Sequence, residues 1–191
     1  TIVVDGKTIT LGATGSGTTT TNGLSYTATV SGGTATVVLS GGTLNATATQ
    51  ALVNGITYQN TNVDQPTAGN RVFTLTQVKD SGGVANSGVD TTTLSVASTV
   101  AVATVNDAPT LTATAANPTF TEGLGAGVQG AAVSVFSGAA ASTVETGQTI
   151  TGLTFTVSGL VDGANETIVV DGKTITLGAT GSGTTTTNGL S

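Results

Sequence analysis

Thr1-Ile-Val-Val-Asp-Gly-Lys-Thr-Ile-Thr-Leu11 is the stretch whose reading decides the fold. Apolar Ile-Val-Val and the alternating Lys-Thr-Ile-Thr-Leu run flank Asp5-Gly6. Asp-Gly supplies the positive φ angles of a two-residue type I′ turn, so the segment reads as a β-hairpin. The same letters return. Thr1–Ser25 recurs without a substitution as Thr167–Ser191, an offset of 167 − 1 = 166 residues. A perfect match of that length reads as a window cut from a tandem array; its rival is an engineered duplication. The period is too long for a solenoid unit, which takes about 20–50 residues, and suits whole domains strung in line.

Other segments alternate in the same way. Tyr26–Val30, Thr34–Leu39, Val72–Val78 and Leu153–Val157 each place apolar residues on one face and polar residues on the other. Ser31-Gly32-Gly33 joins two of them. Thr makes up roughly a quarter of the chain, and its β-branched side chain favours the pleated strand. Many short strands with such turns predict an all-β chain of antiparallel β-sandwiches. One stretch departs from this pattern. Asn45-Ala-Thr-Ala-Thr-Gln-Ala-Leu-Val53 predicts one or two helical turns capped by Asn45 and stopped by Gly55, with a strand from Ile56 to Gln59.

Val105-Asn-Asp-Ala-Pro-Thr110 is the predicted linker, because Pro109 cannot donate to a ladder and holds its neighbour extended. Residues 1–108 then form the later part of one repeat and residues 109–191 the opening part of the next, so a whole repeat reads 109–191 followed by 26–108. The rival is two small self-contained sandwiches. If the repeats are split in this way, each half lacks strands that the other supplies. The expected partners are therefore neighbouring identical repeats, joined head to tail by strand complementation. Residues 1–25 and 167–191 then compete for one set of strand positions.

Composition narrows the chemistry. Four basic residues against ten acidic ones leave no basic patch for nucleic acid. There is no cysteine, hence neither a disulfide nor a thiolate metal site. No apolar run approaches the roughly 18 residues of a membrane span. Histidine is absent, so a Ser-His-Asp set cannot be assembled, and no enzyme activity is expected. Gly12–Gly17 lacks the Gly-Lys-Ser/Thr ending of a phosphate loop and reads as a strand connection.

Several motifs carry a family resemblance. Asn106-Asp-Ala-Pro109 followed by Phe120-Thr-Glu-Gly123 resembles bacterial cadherin-like repeats. So do Gln50-Ala-Leu-Val-Asn-Gly-Ile-Thr-Tyr-Gln-Asn-Thr61, Asp64-Gln-Pro-Thr67, Arg71-Val-Phe-Thr-Leu-Thr76 and Val78-Lys-Asp-Ser-Gly-Gly83. These are the immunoglobulin-like and cadherin-like tandem repeats of giant secreted adhesins, often exported by type I systems. The resemblance implies an extracellular or cell-surface array of sandwiches rigidified by calcium. It implies Asn106, Asp107 and Glu122 as calcium ligands, with Asp80 and Asp64 added from the preceding domain. Calcium takes six to eight oxygens, yet the chain has no Asp-x-Asp pair and no EF-hand loop. Asp64 and Asp80 read equally as turn residues bonded to their own backbone. Asp162-Gly-Ala-Asn-Glu166 reads as a polar loop or as a second ion site. The expected role is a structural extender of a fibre. The alternative is an adhesion module binding glycan, ice or a partner cell, against which the scarcity of aromatics counts: two Tyr, four Phe and no Trp.

Overall fold

The computed structural model describes residues 1–190. It is mostly β, and each strand pair in it is antiparallel. The chain divides into two units, Thr1–Val105 and Asn106–Ser191, each described by itself below. The division falls inside the Pro109 linker segment, three residues ahead of the 108/109 boundary read from the sequence.

In the first unit, β1 (Ile2–Val4) and β2 (Lys7–Ile9) form the hairpin read at Asp5-Gly6. Val4 faces Lys7 across the turn, with φ of 49° at Asp5 and 75° at Gly6. These are the two left-handed residues of a type I′ turn. Gly6 has a second constraint, since a Cβ there would lie 2.3 Å from Thr20 Oγ1. The other edge of β1 pairs with β6 (Thr57–Tyr58), giving the order β2-β1-β6. A second sheet runs β3 (Gly15–Thr18), β4 (Ser25–Ser31), β5 (Thr34–Ser40). Its β4–β5 turn is Gly32-Gly33, both at positive φ.

The helix α1 (Ala46–Asn54) starts where Asn45 Oδ1 accepts the Ala48 amide at 2.9 Å. Gly55 ends it, although its φ of −85° is right-handed. Its amide is shared between Ala51 O at 2.9 Å and Leu52 O at 3.2 Å, and the Ile56 amide bonds Val53 O at 3.3 Å, so the stop is a tightened last turn. The strand beyond it is shorter than the sequence suggests, two residues against the four of Ile56–Gln59. The unit is completed by a long ribbon, β7 (Gly69–Lys79) with β8 (Thr91–Val102), whose register shifts between Leu75 and Gln77.

The core forms where the two small sheets and α1 meet. Ile2, Val4, Ile9 and Ala28 are buried together, and Leu11, Val37, Leu39, Leu52 and Ile56 pack against them. Tyr58 and Phe73 close one side with ring centroids 5.5 Å apart, tilted by 58°. Period-two alternation put these side chains on one face: in β4, Tyr26, Ala28 and Val30 point inward between exposed neighbours.

The second unit has strands but no such core. β9 (Thr110–Ala115) pairs with β10 (Phe136–Ser142), and β11 (Thr167–Val170) with β12 (Lys173–Thr176). The latter pair is the duplicated hairpin, turning at Asp171 (φ 49°) and Gly172 (φ 76°). No described residue of this unit is buried. Leu153–Val157, read as a strand from its alternation, is irregular, with Leu153, Phe155 and Val157 exposed. Alternation fixes which side of a strand is apolar; a strand also needs a hydrogen-bonded neighbour, and none of the described residues pairs with this run.

The two hairpins give a matched test of burial. Ile9 is 2% exposed and its counterpart Ile175 is 40% exposed. Ile9→Ala should destabilise the protein by about 2–5 kcal/mol, whereas Ile175→Ala should cost under about 1 kcal/mol. Urea unfolding followed by circular dichroism checks this; equal losses would place the second hairpin in a core of its own. Asn45→Ala should cost about 1 kcal/mol through the lost helix cap, read as a lower urea midpoint at unchanged slope.

Candidate functional site

The Asp5 carboxylate sits in the hairpin turn and accepts three hydrogen bonds. A left-handed φ turns this residue toward the 19–24 loop. Thr19 Oγ1 donates to Oδ2 at 2.5 Å, the Asn22 amide donates to the same oxygen at 3.0 Å, and Asn22 Nδ2 donates to Oδ1 at 2.5 Å. The Asp5 carbonyl accepts the amides of Thr20 and Thr21. Thr19 Oγ1 in turn accepts the Leu24 amide at 2.8 Å, which sets Leu24 into the interior. One aspartate thereby clips a whole loop to the hairpin. A carboxylate can enter an interior without a cation only when donors replace its water, and this one has three.

The copy repeats the clip bond for bond. Thr185 Oγ1, the Asn188 amide and Asn188 Nδ2 donate to Asp171 at 2.5, 2.8 and 2.5 Å. Leu190 donates to Thr185 Oγ1 at 2.8 Å, as Leu24 does to Thr19. Sequence reading found the Asp-Gly turn but missed the clip. Its signal is Asp-Gly followed fourteen residues after the aspartate by Thr and seventeen after it by Asn. Nothing in local periodicity joins positions so far apart.

The residues that the family resemblance implies as calcium ligands lie in different settings. Asp80 Oδ1 accepts the Gly82 amide at 2.8 Å, which is the turn role open to it. Asp64 is exposed in a loop held by Asn62, whose side chain bonds Gln65 in both directions. Glu122 lines a shallow polar depression with the Gly125–Gln129 loop. Asn106 and Asp107 are each hydrogen-bonded to a residue of the 145–148 segment. The Asp107 amide donates to Glu145 Oε1 at 2.6 Å, and Gln148 Nε2 donates to Asn106 Oδ1 at 2.6 Å. Among the described residues, no three Asp or Glu side chains gather as a metal group.

Glu145 is the residue that sequence reading missed there. It follows Val144, held at φ 68°, a strained value for a β-branched residue. Its Oε2 is buried and has no hydrogen-bond partner. A buried carboxylate oxygen left unpaired is costly, and a bound cation would satisfy it. Calcium would find one unsatisfied oxygen here, Glu145 Oε2, whereas Asn106 Oδ1 already accepts Gln148 and Asp107 meets Glu145 through its backbone amide. Glu166, by contrast, is spent on its own loop, where Oε2 accepts the amides of Val161 and Asp162 at 3.1 Å each.

Hydrogen bonding sets the acid response of the two clips. Burial pushes Asp5 up, but the bonds from Thr19 and Asn22 outweigh it and hold the carboxyl below its ordinary value of 3.8. At Asp171 the Thr185 hydroxyl and the Asn188 amide are the main causes, and the direction is the same. A carboxyl with a lowered folded pKa contributes stability above its unfolded value, and that contribution is lost as pH falls through the folded one. Urea midpoints should therefore drop below about pH 4, and the drop should shrink in the Asp5→Asn, Asp171→Asn double variant. Parallel profiles for the two proteins would remove the clips from the acid transition.

Protein-family models, curated proteins and solved structures were all compared with the chain, and none of them matches it.

Proposed function

We propose that this chain is an extender segment of a tandem-repeat fibre outside the cell or on its surface. The observation that carries the reading is the 25-residue stretch present twice at an offset of 166 residues, folded both times into the same hairpin with the same aspartate clip. Identical sequence at a domain-sized interval serves reach and continuity. Low charge and the lack of histidine and cysteine support a role without reactive chemistry. Antiparallel strands in small sheets are compatible with sandwich repeats of the cadherin-like kind that the motifs resemble. In this reading, neighbouring identical repeats meet head to tail, each supplying strands that the other lacks. Calcium, held at Glu145, stiffens the opening part of a repeat at the roughly millimolar levels found outside cells.

Chains carrying one, two and three periods should lengthen by equal increments in small-angle scattering. A maximum dimension that stays nearly constant as mass grows would contradict the extender role. Calcium should raise the thermal midpoint, and Glu145→Gln should abolish that rise while leaving the midpoint in EDTA unchanged or higher, since it removes an unpaired buried charge. Identical melting with and without millimolar calcium would remove the metal from the reading.

A further inference from the structure

Three asparagines in this chain precede glycine: Asn22, Asn54 and Asn188. A following glycine leaves the smallest steric barrier to attack by its backbone nitrogen on the asparagine side chain. All three pairs are exposed, so water reaches each of them. Their restraints differ. Asn54 ends α1, and the Gly55 amide, the attacking nitrogen there, is already bonded to Ala51 O and Leu52 O. The Gly23 and Gly189 amides make no hydrogen bond among the described residues. At those two sites the restraint lies on the other reactant. Asn22 is held to Asp5 through its backbone amide and through Nδ2, and Asn188 is held to Asp171 in the same way.

We propose that Asn22 and Asn188 are deamidation sites that the aspartate clips hold shut. At the first site, the Gly23 nitrogen gives up its proton to hydroxide and attacks Cγ of Asn22. The N–Cγ bond forms, the Cγ–Nδ2 bond breaks, and the amide leaves as ammonia after taking a proton from water. Water then opens the five-membered succinimide at one of its two carbonyls, giving aspartate or isoaspartate at position 22. One water is consumed and one ammonia released, with no change of oxidation state. Ring closure requires the Asn22 side chain to swing toward its own backbone. The bond from Nδ2 to Asp5 Oδ1 opposes that rotation, and the bond from the Asn22 amide to Oδ2 fixes the backbone from which it starts. The negative charge of Asp5 also opposes attack by an anionic nitrogen. Reaction therefore waits for the clip to open. Once it has run, the clip does not re-form. A carboxylate at position 22 meets the Asp5 carboxylate where an N–H met an oxygen, and the isoaspartate branch also lengthens the backbone by a methylene. The 19–24 loop then loses the bonds that tie Asn22 to the hairpin. A brief opening is made permanent, at one site in each copy of the segment. The inference needs only bonds inside the 25-residue segment and stands apart from calcium and from the extender role.

The duplication supplies the control. Asp5→Gly removes the first carboxylate and keeps a residue suited to the left-handed turn; Asp171→Gly does the same for the second. The full chain is incubated folded at mildly alkaline pH, beside the same chain unfolded in urea. Trypsin separates the copies by cutting after Lys7, Arg71 and Lys173, and fragment-ion mass spectrometry distinguishes Asn22 from Asn54. In the folded unsubstituted chain, Asn22 and Asn188 should deamidate at least about tenfold more slowly than in urea, the effect of one hydrogen bond to a charged group. Asp5→Gly should speed Asn22 by about tenfold or more and leave Asn188 unchanged, and Asp171→Gly should do the reverse. Asn54 reports whether the first unit stays folded. If Asp5→Gly speeds Asn54 along with Asn22, the Asp171→Gly chain decides: Asn188 must accelerate while Asn22 and Asn54 keep their rates. Folded-chain rates equal to those in urea, or a rate at either site that loss of its own carboxylate leaves unchanged, would overturn the proposal. The irreversible step has its own check. Asn22→Asp installs the aspartate product and should raise the unfolding equilibrium constant by about tenfold or more in urea titrations. Asp5→Asn added to it should recover most of that loss, because amide and carboxylate exchange sides of the bond. Failure to recover would overturn the lock that follows deamidation.

Discussion

A single carboxylate in a left-handed turn organises the first unit. Asp5 has to be at positive φ to close the hairpin, and that conformation aims its side chain at the loop fourteen to seventeen residues on. The bonds it receives there are not decoration on a finished fold. They bring Leu24 under the sheet, set the entry of β4, and so decide where Ala28 and Tyr26 meet Ile2 and Ile9. Turn chemistry, loop position and core packing are coupled through one side chain. Removing its donors together would strand a charge in the interior, a penalty larger than the bonds themselves are worth.

The duplicated segment separates what sequence dictates locally from what its surroundings supply. Both copies adopt the same turn, register and clip, because those depend only on residues within the segment. Burial does not follow. The same isoleucine is interior at position 9 and exposed at position 175. Hydrogen-bond geometry travels with the letters, while the hydrophobic contribution, proportional to area removed from water, belongs to whatever lies opposite.

That distinction also governs what could be read in advance. The Asp-Gly and Gly-Gly turns, the strands at 26–30, 34–39 and 72–78, and the Asn45-capped helix are local, and each was legible from spacing and turn chemistry. Leu153–Val157 misled because alternation carries no information about a pairing partner. The clip escaped notice because Asp5, Thr19 and Asn22 share no period. Glu145 escaped for the same reason: it meets Asp107 only across a separation of 38 residues. Of the residues implied by the motifs, Asp80 is bonded to the backbone of its own turn, Asn106 Oδ1 accepts the Gln148 amide group, and Asp107 meets Glu145 through its backbone amide.

The register shifts in two of the strand pairs have a consequence for solubility. β7 and β8 change register between Leu75 and Gln77, and β9 and β10 between Ser137 and Ala140. A bulge adds local twist and breaks the even row of amides and carbonyls along a strand. Chains that carry the same letters more than once hold, in every neighbour, a perfect template for amyloid-like stacking, which demands flat and uninterrupted strands. The ribbon's apolar residues Val72, Val78 and Val96 are exposed and β-branched, the composition such stacking favours. Interrupting the ladder beside them denies a like strand the length of straight edge it would need, so the irregularity works as a guard against fibrillar misassembly.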